Sequence, residues 1–392
     1  MSGMTALATS TDPRTGHAPP RLLGVDAVRG LALLGVFLMH FHMSGWLQTG
    51  APDAAPAPVA WFQNETSSRA MSLFILLAGV SVALMTGGAR PYTGQRMSLA
   101  RRRLAVRAGM IFLIGLCLES AAPNVLEFYG VLLLLLVPCT GLRPRTLALM
   151  SAAAVPAVTL YAVWVMNNHM SWLMTEIPSG PAILLQPQHW AAYLFSLVGY
   201  GGGFQTVYGI PLVLAGLAIG RLDLRATAVR LRMAGGGLAL ALTASAVAAL
   251  VPHLLPAGDL LTWRSLFDMP GATAPYATSL VGITFMIGVA LLLLGLLLPL
   301  LDRPRAQSLL WPLVAAGSMT LTWYVGHLLF LYSVLEPRTQ FSVAGFGGVI
   351  VAVLALSALW RKRFRRGPLE WLVHIAMVTA GNPKQGRQRK RP

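Results

Sequence analysis

Apolar runs of about 17–25 residues, each long enough to cross a bilayer as a helix, recur from one end of the chain to the other. They fall at roughly 26–47, 69–87, 104–121, 124–141, 146–166, 203–220, 231–251, 277–300, 309–334 and 343–360. A soluble fold has no use for so many, because lipid is the only solvent in which a surface of this kind costs nothing. The whole chain reads the same way, with 55% hydrophobic residues, only 11% charged and a mean hydropathy of +0.64. The expected fold is an all-α, polytopic integral-membrane helical bundle of about ten transmembrane helices, with the lipid bilayer as its standing partner.

The net charge of +17 would suit a nucleic-acid binder if the basic residues formed one field. They form short clusters between apolar runs, on alternate connections: Arg14 and Arg21, then Arg90 to Arg107, Arg143 and Arg145, Arg221 to Arg232, Arg303 and Arg305, and Arg361 to Arg366. That alternation is the positive-inside pattern. It excludes nucleic acid as the partner and predicts a multi-pass cell-membrane protein with both termini cytoplasmic. Residues 1–22, polar and Pro-containing, predict a disordered cytoplasmic tail and no cleavable signal. The bundle is expected over 23–362. Leu369, Trp371, Leu372 and Ile375 beside the basic cluster predict an amphipathic inner-leaflet helix over 363–379, followed by a disordered basic end at 380–392. Three long connections on the opposite face, 48–68, 167–202 and 252–276, predict a cover over a cavity. Cys117 and Cys139 are too few for a disulfide framework and have no metal-ligand spacing, so they read as buried packing residues.

Ionisable groups inside spans are costly and each needs a partner or a task. Asp26 and Arg29 lie three apart at the entry of the first span, where they can neutralise each other, or where Arg29 can meet a phosphate. His40 and His42 lie at its exit on different faces. Arg29 and His40 are 11 positions apart, which at about 100° per residue returns to nearly the same face, roughly 16 Å further along the axis. A guanidinium and an imidazole therefore look into one groove from different depths. Arg69 opens the second span, as an anchor or as a cation for an anionic substrate. Glu119 and Glu127 flank the Pro123-Asn124 turn at the level of His40, where a carboxylate could orient an imidazole base. His327 lies within the ninth span among Trp323, Tyr324 and Tyr332. These patterns contain no metal spacing, phosphate loop or serine-nucleophile elbow, and no metal is expected.

The run D-x-x-R-G-x-A-L-L-G from Asp26 to Gly35 resembles the first helix of the transmembrane acyltransferase superfamily. More closely, it resembles the YeiB-type family of bacterial membrane proteins. Ser67 to Leu84, Leu212 to Leu224 and Arg363 to Leu372 resemble that family in the same order. The superfamily includes the lysosomal heparan glucosaminide acetyltransferase, so the resemblance implies acyl transfer from cytoplasmic acetyl-CoA to a hydroxyl or amine acceptor on the far side. The acceptor would be a saccharide, a lipid-linked molecule or a secondary metabolite. Arg29 to His40 also looks like the Arg-x10-His pattern of acyltransferase-3 proteins. In that picture Arg29 and Asp26 attend the coenzyme, His40 deprotonates the acceptor, Glu119, Glu127 or His327 assists, and Arg69 and His42 contact the substrate. The sequence departs in two places. No histidine lies between His42 and Arg69, where the lysosomal enzyme has its catalytic one, and Pro270-Gly271-Ala272-Thr273 stands where many YeiB-type relatives carry His-Ser-Gly-Thr. Two other functions therefore remain open: an isoprenoid cyclase, with a buried carboxylic acid and aromatic rings around a cation, and a permease or exporter using the same polar cluster.

Overall fold

The computed structural model is all-α and describes residues 21–43, 47–48, 57–119, 121, 124–168, 180–198, 206–254, 279–334 and 341–381. The 1–20 and 382–392 tails, residues 49–56 of the 48–68 connection, most of the 252–276 connection and the Pro270 to Thr273 stretch lie outside the described residues, while residues 57–68, expected as connection, form the start of α2. Thirteen helices are described. In chain order they are α1 (Leu23–Met43), α2 (Ala57–Met85), α3 (Gly94–Glu119), α4 (Leu126–Leu135), α5 (Pro144–Asn168), α6 (Trp190–Val198) and α7 (Thr206–Gly220). They continue with α8 (Thr227–Leu254), α9 (Leu280–Leu300), α10 (Pro304–Gly317), α11 (Thr320–Leu329), α12 (Val343–Arg363) and α13 (Pro368–Gly381). A two-residue parallel ladder, Leu47–Gln48 (β1) on Phe341–Ser342 (β2), ties the segment after α1 to the start of α12.

Among the described residues, five helices are long and apolar enough to cross a membrane, and a sixth span results if the bent pair α10 and α11 is taken as one. The expected ten spans are thus not matched one for one by ten long helices. The run at 124–141 becomes the ten-residue α4 and a 3-10 turn over Pro138–Gly141. The run at 203–220 becomes the 15-residue α7. The run at 309–334 is cut between Gly317 and Thr320 by a 62° bend. Apolarity measures solvent preference, and a short helix between turns satisfies it as well as a straight span does.

Helix α1 is the axis of the bundle. Of its apolar stretch 67% is buried, against 11% for α12 at the periphery. It packs on α2, α9, α10 and α11, with Val28, Leu33, Phe37 and Phe41 at zero exposure. Two close crossings fix the layout. Gly79 on α2 and Gly216 on α7 bring those helices into backbone contact, since a Cβ on Gly216 would collide with the Leu76 carbonyl. Gly317, at the end of α10, lies against the Asp26 carbonyl of α1 in the same way. That second crossing places the α10–α11 break beside Asp26 and Arg29.

The break itself is capped from far along the chain. Glu370 on α13 accepts hydrogen bonds from the backbone N–H groups of Leu321 (2.7 Å) and Thr322 (3.1 Å) and from the Thr322 hydroxyl (2.5 Å). It thereby satisfies the orphan donors of α11. The Leu369 N–H returns a bond to the Thr322 oxygen at 3.1 Å. The tail helix spans Pro368–Gly381, beginning later than the expected 363, and exposes Trp371, Leu372, Ile375 and Val378. Its polar side is docked on α3 and α11.

Several of the basic residues serve the structure. Arg221, buried to 3% exposure, donates to the carbonyls of Ala83, Gly88 and Thr140 and to the Thr86 hydroxyl, joining α2, α7 and the turn after α4. Arg230 pairs with Asp302, linking α8 to the end of α9. Cys139 is half-buried, but Cys117 is exposed, against the expectation that both would be packed inside. An apolar thiol on the outside of a membrane bundle has no water to avoid.

Candidate functional site

A cavity of about 290 Å³ opens at the basic end of the bundle, between α1, α2, α3, α4, α11 and α13. Arg29 enters it from α1, fixed by Asp26 on the same helix (2.8 Å) and by the Ser81 hydroxyl of α2. Arg21 pairs with the same carboxylate at 2.6 Å, so one acid serves two guanidiniums and the local balance stays positive. Ser81 spends its own proton on the Leu77 carbonyl, which leaves its oxygen free to accept from Arg29. Asp26 and Arg29, three positions apart on α1, thus neutralise each other in direct contact. Arg107 of α3, Tyr129 of α4 and His374 of α13 complete the polar wall, and Arg366 stands at the α12–α13 corner. Burial, with the guanidiniums of Arg366 and Arg103 near by, lowers the His374 pKa from the ordinary 6.5. The ring therefore feels a positive potential.

Tyr324 of α11, buried to 2% exposure, also lines this wall. Its hydroxyl accepts from the Val125 N–H at 3.2 Å, and its ring stands edge-on to two imidazoles, His40 at 6.1 Å and His327 at 5.4 Å between centroids. Those imidazoles touch: His40 Nδ1 lies 2.6 Å from His327 Nε2, and the rings are stacked at 4.9 Å. The tautomers follow from the far side of the pair. His327 Nδ1 is 3.0 Å from the Trp323 carbonyl, which can only accept, so Nδ1 carries the proton and Nε2 offers a lone pair. His40 must then donate from Nδ1, and its own Nε2 is left unprotonated. One aromatic ring separates a basic cavity from a base held in a single tautomer.

Of the residues expected at this level, the structure joins His40 and His327 but turns the carboxylates elsewhere. Glu119 accepts from the Asn124 N–H (3.0 Å) and amide (2.7 Å). Glu127, 5% exposed, accepts from the Tyr193 hydroxyl at 2.6 Å. The position sketched for a carboxylate beside His40 is occupied by His327, because α11 rather than the α3–α4 turn runs alongside that part of α1. Arg69 lies over the Phe285 ring, 4.8 Å from its centroid, in a separate apolar groove with Leu34, Leu38 and Met286. The side chain of His42 lies outside the described residues. Sequence reasoning passed over Glu370 and Tyr193 and left Ser81 and Arg107 without a role. Arg107 had a visible signal, since it sits one turn deeper into an apolar run than Arg101, Arg102 and Arg103.

Residues 21–194 match the family described as Heparan-alpha-glucosaminide N-acetyltransferase, catalytic, and residues 230–379 match Protein of unknown function (DUF418). Over these two segments the chain is similar to membrane acyltransferase-like proteins. It is a multi-pass membrane protein. No curated protein matches the chain. The two matched segments meet at the site. Arg29, Ser81, Arg107 and Tyr129 come from the first, and Tyr324, His327, Arg366, Glu370 and His374 from the second.

Proposed function

We propose that the protein transfers an acetyl group from acetyl-CoA, entering at the basic end of the bundle, to a hydroxyl or amine that reaches His40 from the other end. The observation that carries this reading is the adjacency described above: a cation-lined cavity closing on Tyr324, with an oriented imidazole pair behind it. The match to an acetyltransferase catalytic family favours acyl transfer over an exporter or an isoprenoid cyclase. By the positive-inside rule the basic end faces the cytoplasm, where acyl-CoA is made.

A cavity of about 290 Å³ is at the small end of ligand pockets, which run to about 1,000 Å³. It suits the narrow pantetheine arm, with the phosphorylated nucleotide left at the mouth among Arg21 and Arg366. In the reaction, His40 Nε2 takes the proton of the acceptor as its oxygen or nitrogen attacks the thioester carbonyl. The carbon–sulfur bond breaks, the acetyl group stays on the acceptor, and the CoA thiolate takes up a proton. His327 steadies the charge that develops on His40. Saccharides, lipid-linked alcohols and amine-bearing metabolites all present the group this chemistry needs.

The test is CoA binding to the purified protein by calorimetry. Arg29→Gln should weaken it about tenfold, the effect of losing one charge-assisted contact to phosphate. Unchanged binding in a folded variant would remove Arg29 from the donor site, and no binding by the wild type would end the acyl-CoA reading.

A further inference from the structure

Beyond the donor cavity, a second cavity of about 330 Å³ lies at the same end of the molecule, and it is lined by Arg21, Arg361, Arg365 and Arg366 alone. Ordinary topological anchors spread their cations into headgroups and water, each on its own. Here four guanidiniums converge on one space whose lining contains no carboxylate. The corner that presents them is built. The Trp360 indole donates to the Arg366 carbonyl at 2.9 Å and its ring stacks on Phe364 at 4.4 Å. Arg361 donates to the carbonyls of Phe364 and Arg365, while its buried Nε has no hydrogen-bond partner among the described residues. Of the acids near by, Asp26 is shared by Arg21 and Arg29, and Glu370 is taken up by the start of α11.

We propose that Arg21, Arg361, Arg365 and Arg366 form a seat for a phosphate group at the inner surface, adjoining the donor cavity. Converging guanidiniums match phosphate oxygens in geometry as well as charge. Mutual repulsion supports the same conclusion: Arg366 is held below the usual guanidinium range by burial and by Arg365 and Arg21, and a dianion would relieve it. Two sources can supply the phosphate, the nucleotide end of the acyl donor or the headgroup of an anionic lipid. Arg21 and Arg366 line both cavities, which favours one ligand spanning them, a donor whose ribose carries its own phosphate. That choice of source rests on the acyl-CoA reading; the seat does not.

The experiment uses the full chain in nanodiscs, as wild type, as Arg361→Gln with Arg365→Gln, and as Arg365→Gln alone, since Arg365 is exposed and its replacement leaves the α12 cap intact. Affinities for CoA and for 3′-dephospho-CoA are measured in phosphatidylcholine, and melting temperatures with and without added phosphatidylglycerol. The expected result is a preference for CoA of about tenfold that the double variant abolishes and the single variant reduces. If instead phosphatidylglycerol raises the melting temperature of the wild type but not of the variants, and the nucleotide preference is untouched, the seat stands and a lipid fills it. Should neither nucleotide bind the wild type, the acyl-CoA reading fails and the lipid series alone decides. Differences independent of these two arginines in both series overturn the seat.

Discussion

His327 is the residue whose role the geometry defines most narrowly. With Nδ1 on the Trp323 carbonyl and Nε2 on His40, it fixes which nitrogen of His40 is free. Replacing it with Phe keeps the ring stack against Phe37, now 4.4 Å between centroids, and removes the acceptor. His40 can then flip or change tautomer. His327→Phe should therefore lower kcat by about 10²-fold, within the range for disabling general base catalysis, while KM for acetyl-CoA stays within about twofold. A rise in KM alone would place His327 in donor binding instead. This pair was partly legible in the sequence: the depth of His327 in an apolar run and the spacing of Arg29 and His40 both pointed inward. That His327 rather than a glutamate would meet His40 was not legible, because it depends on which helix lies beside α1.

At the scale of elements, α13 holds the break between α10 and α11 through Glu370. Since α11 carries both Tyr324 and His327, the docking of the tail sets the position of the floor of the cavity. Glu370→Gln keeps the shape but removes the negative charge at a helix N-terminus, an effect of about 1 kcal/mol. The expected outcome is a small loss of melting temperature and a fall in kcat with KM preserved, and Glu370→Asp should recover less than the wild type does. A selective rise in KM would show that the carboxylate meets the donor directly and contradict the capping role. The amphipathic spacing in the tail announced α13 as a helix, but its partner could not be read, since Glu370 and Thr322 are 48 positions apart. Tyr193 and Glu127, 66 apart, illustrate the same limit.

At the scale of the whole molecule, the sequence specifies the solvent and the class of fold because hydropathy and charge alternation are properties of every segment. It does not specify how apolar runs divide into helices: the bend at Gly317 to Thr320 and the short α4 and α7 go with close crossings between separate segments, Gly317 on Asp26, Gly130 on Ala108 and Gly79 on Gly216. Those crossings also make the site a joint product of both matched segments, with a basic mouth at one end and a base beyond Tyr324. In the proposed reaction, donor and base work across this ring. The direct measurement is acetyl transfer from radiolabelled acetyl-CoA to a panel of hydroxyl and amine acceptors by the purified protein, wild type against His40→Ala. Transfer by the wild type, reduced by about 10²-fold or more in the variant with CoA binding unchanged, is the predicted result. Transfer at the wild-type rate without His40, or none by a folded wild type that fails to bind acetyl-CoA, would contradict it.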